Sequence, residues 1–187
     1  MFEPKTKEEL QDAVNLWCEN KEIGLEKYGE INDWDVSNII NMNELFKEKK
    51  DFNDDISMWN VSNVKDMNSM FEFAKSFNQD IGKWDVSNVT NMSGIFEVAT
   101  SFNQEIGNWD VSNVRNMFCM FSDATSFNQD IVNWDISNVT NMDYMFCNAT
   151  SFNQDLRKWN VSKVKNHNHM FTNASSFDIS NSPHFTT

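Results

Sequence analysis

Tryptophan stands at positions 34, 59, 84, 109, 134 and 159, and a fixed interval of 25 residues constrains the chain more than any other feature it carries. A period of this size belongs to proteins in which one small structural unit stacks on the next. The rest of the unit repeats with the tryptophan, close to W-D-V-S-N-V-T-N-M-x-x-M-F-x-x-A-x-S-F-N-Q-D-I-x-x, and is seen almost unbroken between Trp84 and Asn108. Ile31 and Trp34 already show the I-x-x-W spacing, so the array begins at residue 31. Copies of one position must satisfy nearly the same surroundings, so invariance among them reports packing. The expected core is therefore the Trp row, the Val36/Val61/Val86/Val111/Ile136/Val161 row, the two Phe rows that contain Phe96 and Phe102, and the Ala row from Ala74 to Ala174. Each buried ring removes on the order of 150–250 Å² from water, enough to hold neighbouring units together.

Short apolar runs suggest parallel strands at residues 77–81 and 89–92, while the i, i+3, i+4, i+7 spacing over residues 92–99 predicts a short helix. The expected fold is an α/β repeat solenoid of about six 25-residue coils, each of short parallel strands plus a short helix. Residues 1–30 lie outside the array and read as a helical cap. Thr6 with Glu9 makes a capping box, and Leu10, Ala13, Val14 and Trp17 then share one helical face. A second short helical segment from Glu22 to Tyr28 is stopped by Gly29. Such a cap covers the apolar end that the first unit of a stack leaves without a neighbour. The expected organisation is a single structural domain: a cap at 1–30, the six-coil array at 31–182 and a tail at 183–187.

The string F-N-Q-D-I-x-x-W-D-V-S-N-V-T-N-M-x-x-M-F, carried most faithfully by residues 77–96, 102–121 and 127–146, resembles the BspA-like leucine-rich-repeat family. The resemblance covers residue 31 to about 178. It implies a right-handed solenoid with strands and short helices, of a kind found in surface proteins that bind other proteins or matrix.

A formal net charge of −13, from 15 basic against 28 acidic residues, argues against nucleic acid, whose phosphates are neutralised by Lys and Arg. Anionic membrane surfaces are disfavoured for the same reason. No apolar run approaches the roughly 20 residues of a membrane span, and the opening MFEPKTKEEL shows neither a signal-peptide core nor a lipidation motif. The expectation is a cytoplasmic protein without membrane insertion, while the resemblance leaves the cell surface open.

Cys18, Cys119 and Cys147 occupy unrelated places in the repeat, which is not how a disulfide or metal framework is laid out. Glu30, Asp55, Asp80, Glu105, Asp130 and Asp155 form a carboxylate row that would suit Ca²⁺ by its oxygen chemistry. The Gly-rich nonapeptide of metal-binding repeat arrays is absent, so the reading preferred is carboxylates turned toward backbone N–H groups or a basic neighbour. The row Asp35, Asn60, Asp85, Asp110, Asp135, Asn160 exchanges Asp for Asn, which points to hydrogen-bond acceptance at a turn. Asn rows such as Asn78, Asn103 and Asn128 predict side-chain ladders between units. A serine repeated in every unit with no histidine beside it is no nucleophile. His167, His169 and His184 crowd the last unit, where H-x-H lacks the further ligands of a metal site. No phosphate loop, triad order or dinucleotide fingerprint is present. The expectations are no enzyme activity, no cofactor and no metal.

Function is written in the rows that the fold leaves free. Phe118, Cys119, Tyr144 and His169 place bulky residues in three consecutive units where the siblings are small or polar, and Phe73 and Val98 do the same in another row. The predicted role is a non-enzymatic protein–protein interaction scaffold, with Phe118, Tyr144, His169, Phe73 and Val98 as binding residues. The alternative is a structural module that self-associates through an end coil.

Overall fold

The computed structural model describes residues 2–185. Helix α1 spans Lys7–Glu19 and helix α2 spans Lys21–Tyr28. The Thr6 hydroxyl accepts the Glu9 N–H at 3.2 Å, and the Glu9 carboxylate turns back to the Lys5 N–H at 2.6 Å, so two otherwise orphaned donors are satisfied. Asn20 closes α1 and caps α2 through the Ile23 N–H. Gly29, with φ of 74°, ends the second helix in a left-handed conformation that glycine takes without steric cost. The α1 stripe of Leu10, Ala13, Val14 and Trp17 is buried and lies against the first repeat. Trp17 meets the Trp34 ring edge-on at 5.8 Å and donates its indole N–H to Asp54 at 2.8 Å. Asp54 stands where four other units have Gln79, Gln104, Gln129 and Gln154, whose amides each donate to the unit before. The first unit has no predecessor, and an acceptor for the helix suits it better.

Beyond the helices the expected α/β solenoid, and the stranded coils that the BspA-like resemblance implies, are overturned. Among the described residues there is no further α-helix and no strand, only 3-10 turns at Ile31–Asp33 and Ile179–Asn181. Five isolated parallel bridges link Asn41, Asp66, Asn91, Asn116, Asn141 and Asn166 in succession. The strand expected at 89–92 shrinks to the single bridge residue Asn91, residues 77–81 form no strand, and 92–99 is a run of turns.

The sign of φ explains the difference. In the third unit the chain folds through i to i+3 bonds from Ile95 to Met92, Glu97 to Gly94 and Ala99 to Phe96, with φ of 60° at Gly94 and 58° at Val98. The same two places are left-handed in the other five units: Glu44, Ser69, Cys119, Tyr144 and His169 at the first, Glu48, Phe73, Asp123, Asn148 and Asn173 at the second. A left-handed residue at every fourth position cannot continue an α-helix. It turns N–H groups away from the local chain and along the stack. Met92, Gly94, Phe96 and Val98 thus donate to Asn116, Phe118, Met120 and Ser122 of the next unit at 2.7–3.1 Å. The corresponding four bonds form at each of the five junctions between units.

The tryptophan row supplies a second link. The indole N–H of Trp59, Trp84, Trp109, Trp134 and Trp159 donates to the carbonyl of Ile31, Ile56, Ile81, Ile106 and Ile131, at 2.7–3.3 Å. Behind it the Phe rows stack, with Phe96 3.8 Å from Phe102 in its own unit and 5.7 Å from Phe121 in the next. The expected Trp, Val, Phe and Ala rows are buried except in the last unit, where Phe171 and Phe177 are half-buried.

Polar rows serve the same stack. Asn78 Oδ1 accepts the Asn103 N–H, while Gln104 donates to both the Asn78 carbonyl and its side chain. Asp55, Asp80, Asp130 and Asp155 each accept the backbone N–H two residues on, and Arg157 beside Asp155 holds that carboxyl down at about 2. In the other acidic row Asp85 and Asn60 accept a Ser N–H with the same 3.1 Å geometry, which is why Asp and Asn exchange there.

Each tryptophan bridges two units by area and by hydrogen bond, so Trp109→Ala should lower stability by roughly 3–5 kcal/mol, the cost of truncating a large buried aromatic. Chemical denaturation monitored by circular dichroism measures it. A midpoint near that of the parent protein would show that the row does not hold the units together.

Candidate interaction surface

The predicted binding residues fall on the left-handed turns. Phe73, Val98, Tyr144 and His169 have φ of 59°, 58°, 58° and 56°, and Phe118 directly precedes Cys119 at 52°. A residue at the tip of such a turn projects its side chain away from the core, which frees these rows from the packing that fixes the others. The structure brings three of the five together. Phe118 meets Tyr144 edge-on with centroids 6.2 Å apart, and Tyr144 stacks on His169 at 5.0 Å. Phe118 is 37% and Tyr144 38% exposed, and His169 is exposed with Nδ1 3.3 Å from the Thr172 hydroxyl. Three adjoining units thus carry one continuous aromatic ridge.

The remaining candidates separate from it. Phe73 and Val98 are half-buried in the second left-handed row, and their backbone N–H groups are committed to Glu97 and Ser122. Cys119, in the same row as Tyr144 and flanked by the ridge, is covered and only 8% exposed. Burial pushes its thiol up to about 12, so it is protonated at neutral pH and is no nucleophile. Cys147 is also buried, and its thiol is raised by the same loss of solvation. His167 leaves the ridge and stacks instead on Phe185 at 3.9 Å. No group of three or more His, Cys, Asp or Glu among the described residues is arranged around a common metal position.

A cluster of acids passed unnoticed in the sequence. Lys47, Glu72 and Glu97 occupy one row in successive units, and Lys47 pairs with Glu72 at 3.0 Å and with Glu44 at 3.3 Å. Glu97 has no such cation, and its carboxyl is raised by burial first and then by Glu72 and Asp123. The signal was the pair of Glu residues 25 apart at a half-buried place, but only burial distinguishes them from ordinary surface acids.

The family model described as "Mycoplasma protein of unknown function, DUF285" matches residues 15–117 and again residues 80–184. The chain belongs to that family. The two overlapping matches, each covering about four of the 25-residue units, agree with a repeat protein. They do not extend to the BspA-like leucine-rich repeats. No curated protein and no solved structure matches the chain. Among the described residues of this DUF285 member, no helix is long and apolar enough to cross a membrane.

Two outcomes test the local energetics. A β-branched residue is the least suited to a left-handed turn, and Val98→Asn installs the residue that Asn148 and Asn173 supply in the same row. It should raise stability by about 1 kcal/mol, and an unchanged or lowered melting temperature would deny the strain. Glu97→Gln tests the acid cluster. A carboxyl raised in the folded state is penalised once ionised, so stability declines as pH rises from the ordinary carboxylate range through the raised folded value. The variant should therefore melt higher than the parent at pH 7, and the gain should vanish below about pH 4.

Proposed function

We propose that the chain is a non-enzymatic protein-interaction scaffold and that it binds its partner through the ridge of Phe118, Tyr144 and His169. The observation that carries this reading is the contact of three rings from three units, exposed at places where sibling units hold Ser69, Gly94, Asn68 and Ser93. Nothing in the packing of the repeat requires aromatic side chains there. Aromatic residues dominate the energetics of protein interfaces, and a ridge of rigid rings loses little conformational entropy on binding. The resemblance to BspA-like repeats, a family of protein-binding arrays, supports the same reading. Phe73 and Val98 belong at most to the margin of this surface, because they are half-buried in the second row.

The test is the double variant Phe118→Ser with Tyr144→Ser, which installs at each place the residue that Ser93 or Ser69 already supports in another unit. Its melting curve should match the parent's. Capture of the partner from the native cell should weaken by 2 kcal/mol or more, about thirtyfold. A folded double variant that captures the same partner at full strength would move the interface elsewhere.

A further inference from the structure

Between the two left-handed places of each unit lies one further row, filled in succession by Lys47, Glu72, Glu97, Ser122, Cys147 and Thr172. It begins as an ion-pair ladder, in which Lys47 of the first unit reaches Glu72 of the second at 3.0 Å. The ladder then stops. Glu97, in the third unit, is half-buried, and among the described residues its carboxylate has no ion-pair partner. The charges that act on it are two acids, Glu72 and Asp123, with Lys47 the weakest influence. No side-chain oxygen that lacks a partner is sealed from solvent among the described residues, so the Glu97 carboxylate is open to an incoming group.

Gly94 brings that carboxylate toward the aromatic ridge. A Cβ at position 94 would stand 3.2 Å from Glu97 Oε2 and 3.2 Å from the Ser69 hydroxyl, so the carboxylate leans into room that a side chain fills in the other five units. Gly94 also donates its N–H to the Phe118 carbonyl at 2.7 Å, and Phe118 is where the ridge begins. Val98, the next residue after Glu97, and Phe73 in the unit before it are half-buried in the second left-handed row. The four rows that contain Phe118, Tyr144, Glu97 and Val98 hold Glu44, Glu48, Glu72, Glu97, Asp123 and Asp143 against a single lysine, Lys47. The surface is therefore apolar rings beside an excess of negative charge, and one carboxylate in it lacks a counter-charge.

We infer that the protein bound by the ridge presents a basic side chain, arginine by preference, that pairs with Glu97 while the residues beside it lie on Phe118 and Tyr144. The inference rests on the ridge being the interface and names the chemistry of what it binds. Lys47 on Glu72 shows that this row seats a cation. At Glu97 the cost of taking the carboxylate partly out of water is already met when the chain folds, so a cation arriving there gains attraction without paying that cost again. Arginine suits the place better than lysine, because its planar guanidinium pairs with both carboxylate oxygens and stacks on aromatic faces. An acidic segment would meet the surrounding carboxylates, and a wholly apolar one would cover Glu97 and leave its charge unpaired.

A random peptide library selected on the immobilised protein tests the inference, with the affinity of the enriched peptides then measured by fluorescence anisotropy. The enriched peptides should carry arginine or lysine next to apolar residues. Glu97→Gln should bind them roughly tenfold or more weakly, as expected for removing one partner of a desolvated charge pair, although it melts higher than the parent at pH 7. The exchange Lys47→Glu with Glu72→Lys keeps Glu97 and the overall charge but moves the lysine to the neighbouring unit, where it stands to Glu97 as Lys47 stands to Glu72. It should remain folded and lose the same peptides by a similar factor, because the chain itself then supplies the cation. Enrichment of no peptide, or of peptides without a basic residue, overturns the inference, as does undiminished binding to Glu97→Gln. A rise in melting temperature with Ca²⁺ that Glu97→Gln abolishes would give the place to a metal ion and overturn it too. Basic peptides that need Phe118 and Tyr144 but ignore Glu97 would remove the pairing and leave the ridge standing, whereas peptides that need Glu97 and ignore the two rings would support the pairing and move the rest of the interface off the ridge.

Discussion

Four N–H groups per unit, aimed along the stack, are the constraint on which the rest of the structure depends. To point that way they need a left-handed residue at two places in every unit, and twelve of the described residues of the array, from Glu44 to Asn173, take up that conformation with a single glycine among them. The cost is of the order of 1–2 kcal/mol at each non-glycine position. It is offset because each turn delivers inter-unit hydrogen bonds at 2.7–3.1 Å and seats a core residue such as Met92, Ile95 or Phe96 on the inside. The backbone thus satisfies itself across units, where a helix would satisfy itself along the chain. That is why the repeat holds together without any strand longer than one residue.

The side chains complete what the backbone begins. Asn and Gln amides take up carbonyls and N–H groups of the preceding unit, Asp and Asn carboxyl or amide oxygens close local turns, and the tryptophan indoles reach the previous unit's Ile carbonyls. No buried side-chain nitrogen or oxygen lacks a partner among the described residues. Polar rows that look like candidate chemistry in a list of residues are therefore committed to the scaffold. What the scaffold leaves over is small: the tips of the left-handed turns and the half-buried acids around Glu97.

Much of this was legible in the sequence because identical neighbours impose identical demands. The period, the buried rows, the capping box at Thr6 and the α1 stripe all follow from spacing and residue type. The helix expected over residues 92–99 failed because a chain of three-residue turns also brings an apolar residue inward every three or four positions. Periodicity alone does not separate the two. A better signal lay in the rows themselves: Gly94 in one and Asp123, Asn148 and Asn173 in the other are residue types that tolerate positive φ. Tyr144, Phe73 and Val98 concealed that signal, being the least expected residues at such places.

The sequence by itself determined that one unit recurs every 25 residues, which of its positions are core, and that a helix precedes the array, since each of these is a consequence of local pattern and repetition. Only the tertiary structure decided that the units join through turns instead of strands, and that Phe118, Tyr144 and His169 form one ridge while Cys119 beside them is covered. Those facts depend on the sign of φ and on the register between units, and both are set by hydrogen bonds to residues 25 positions away, beyond the reach of any local pattern.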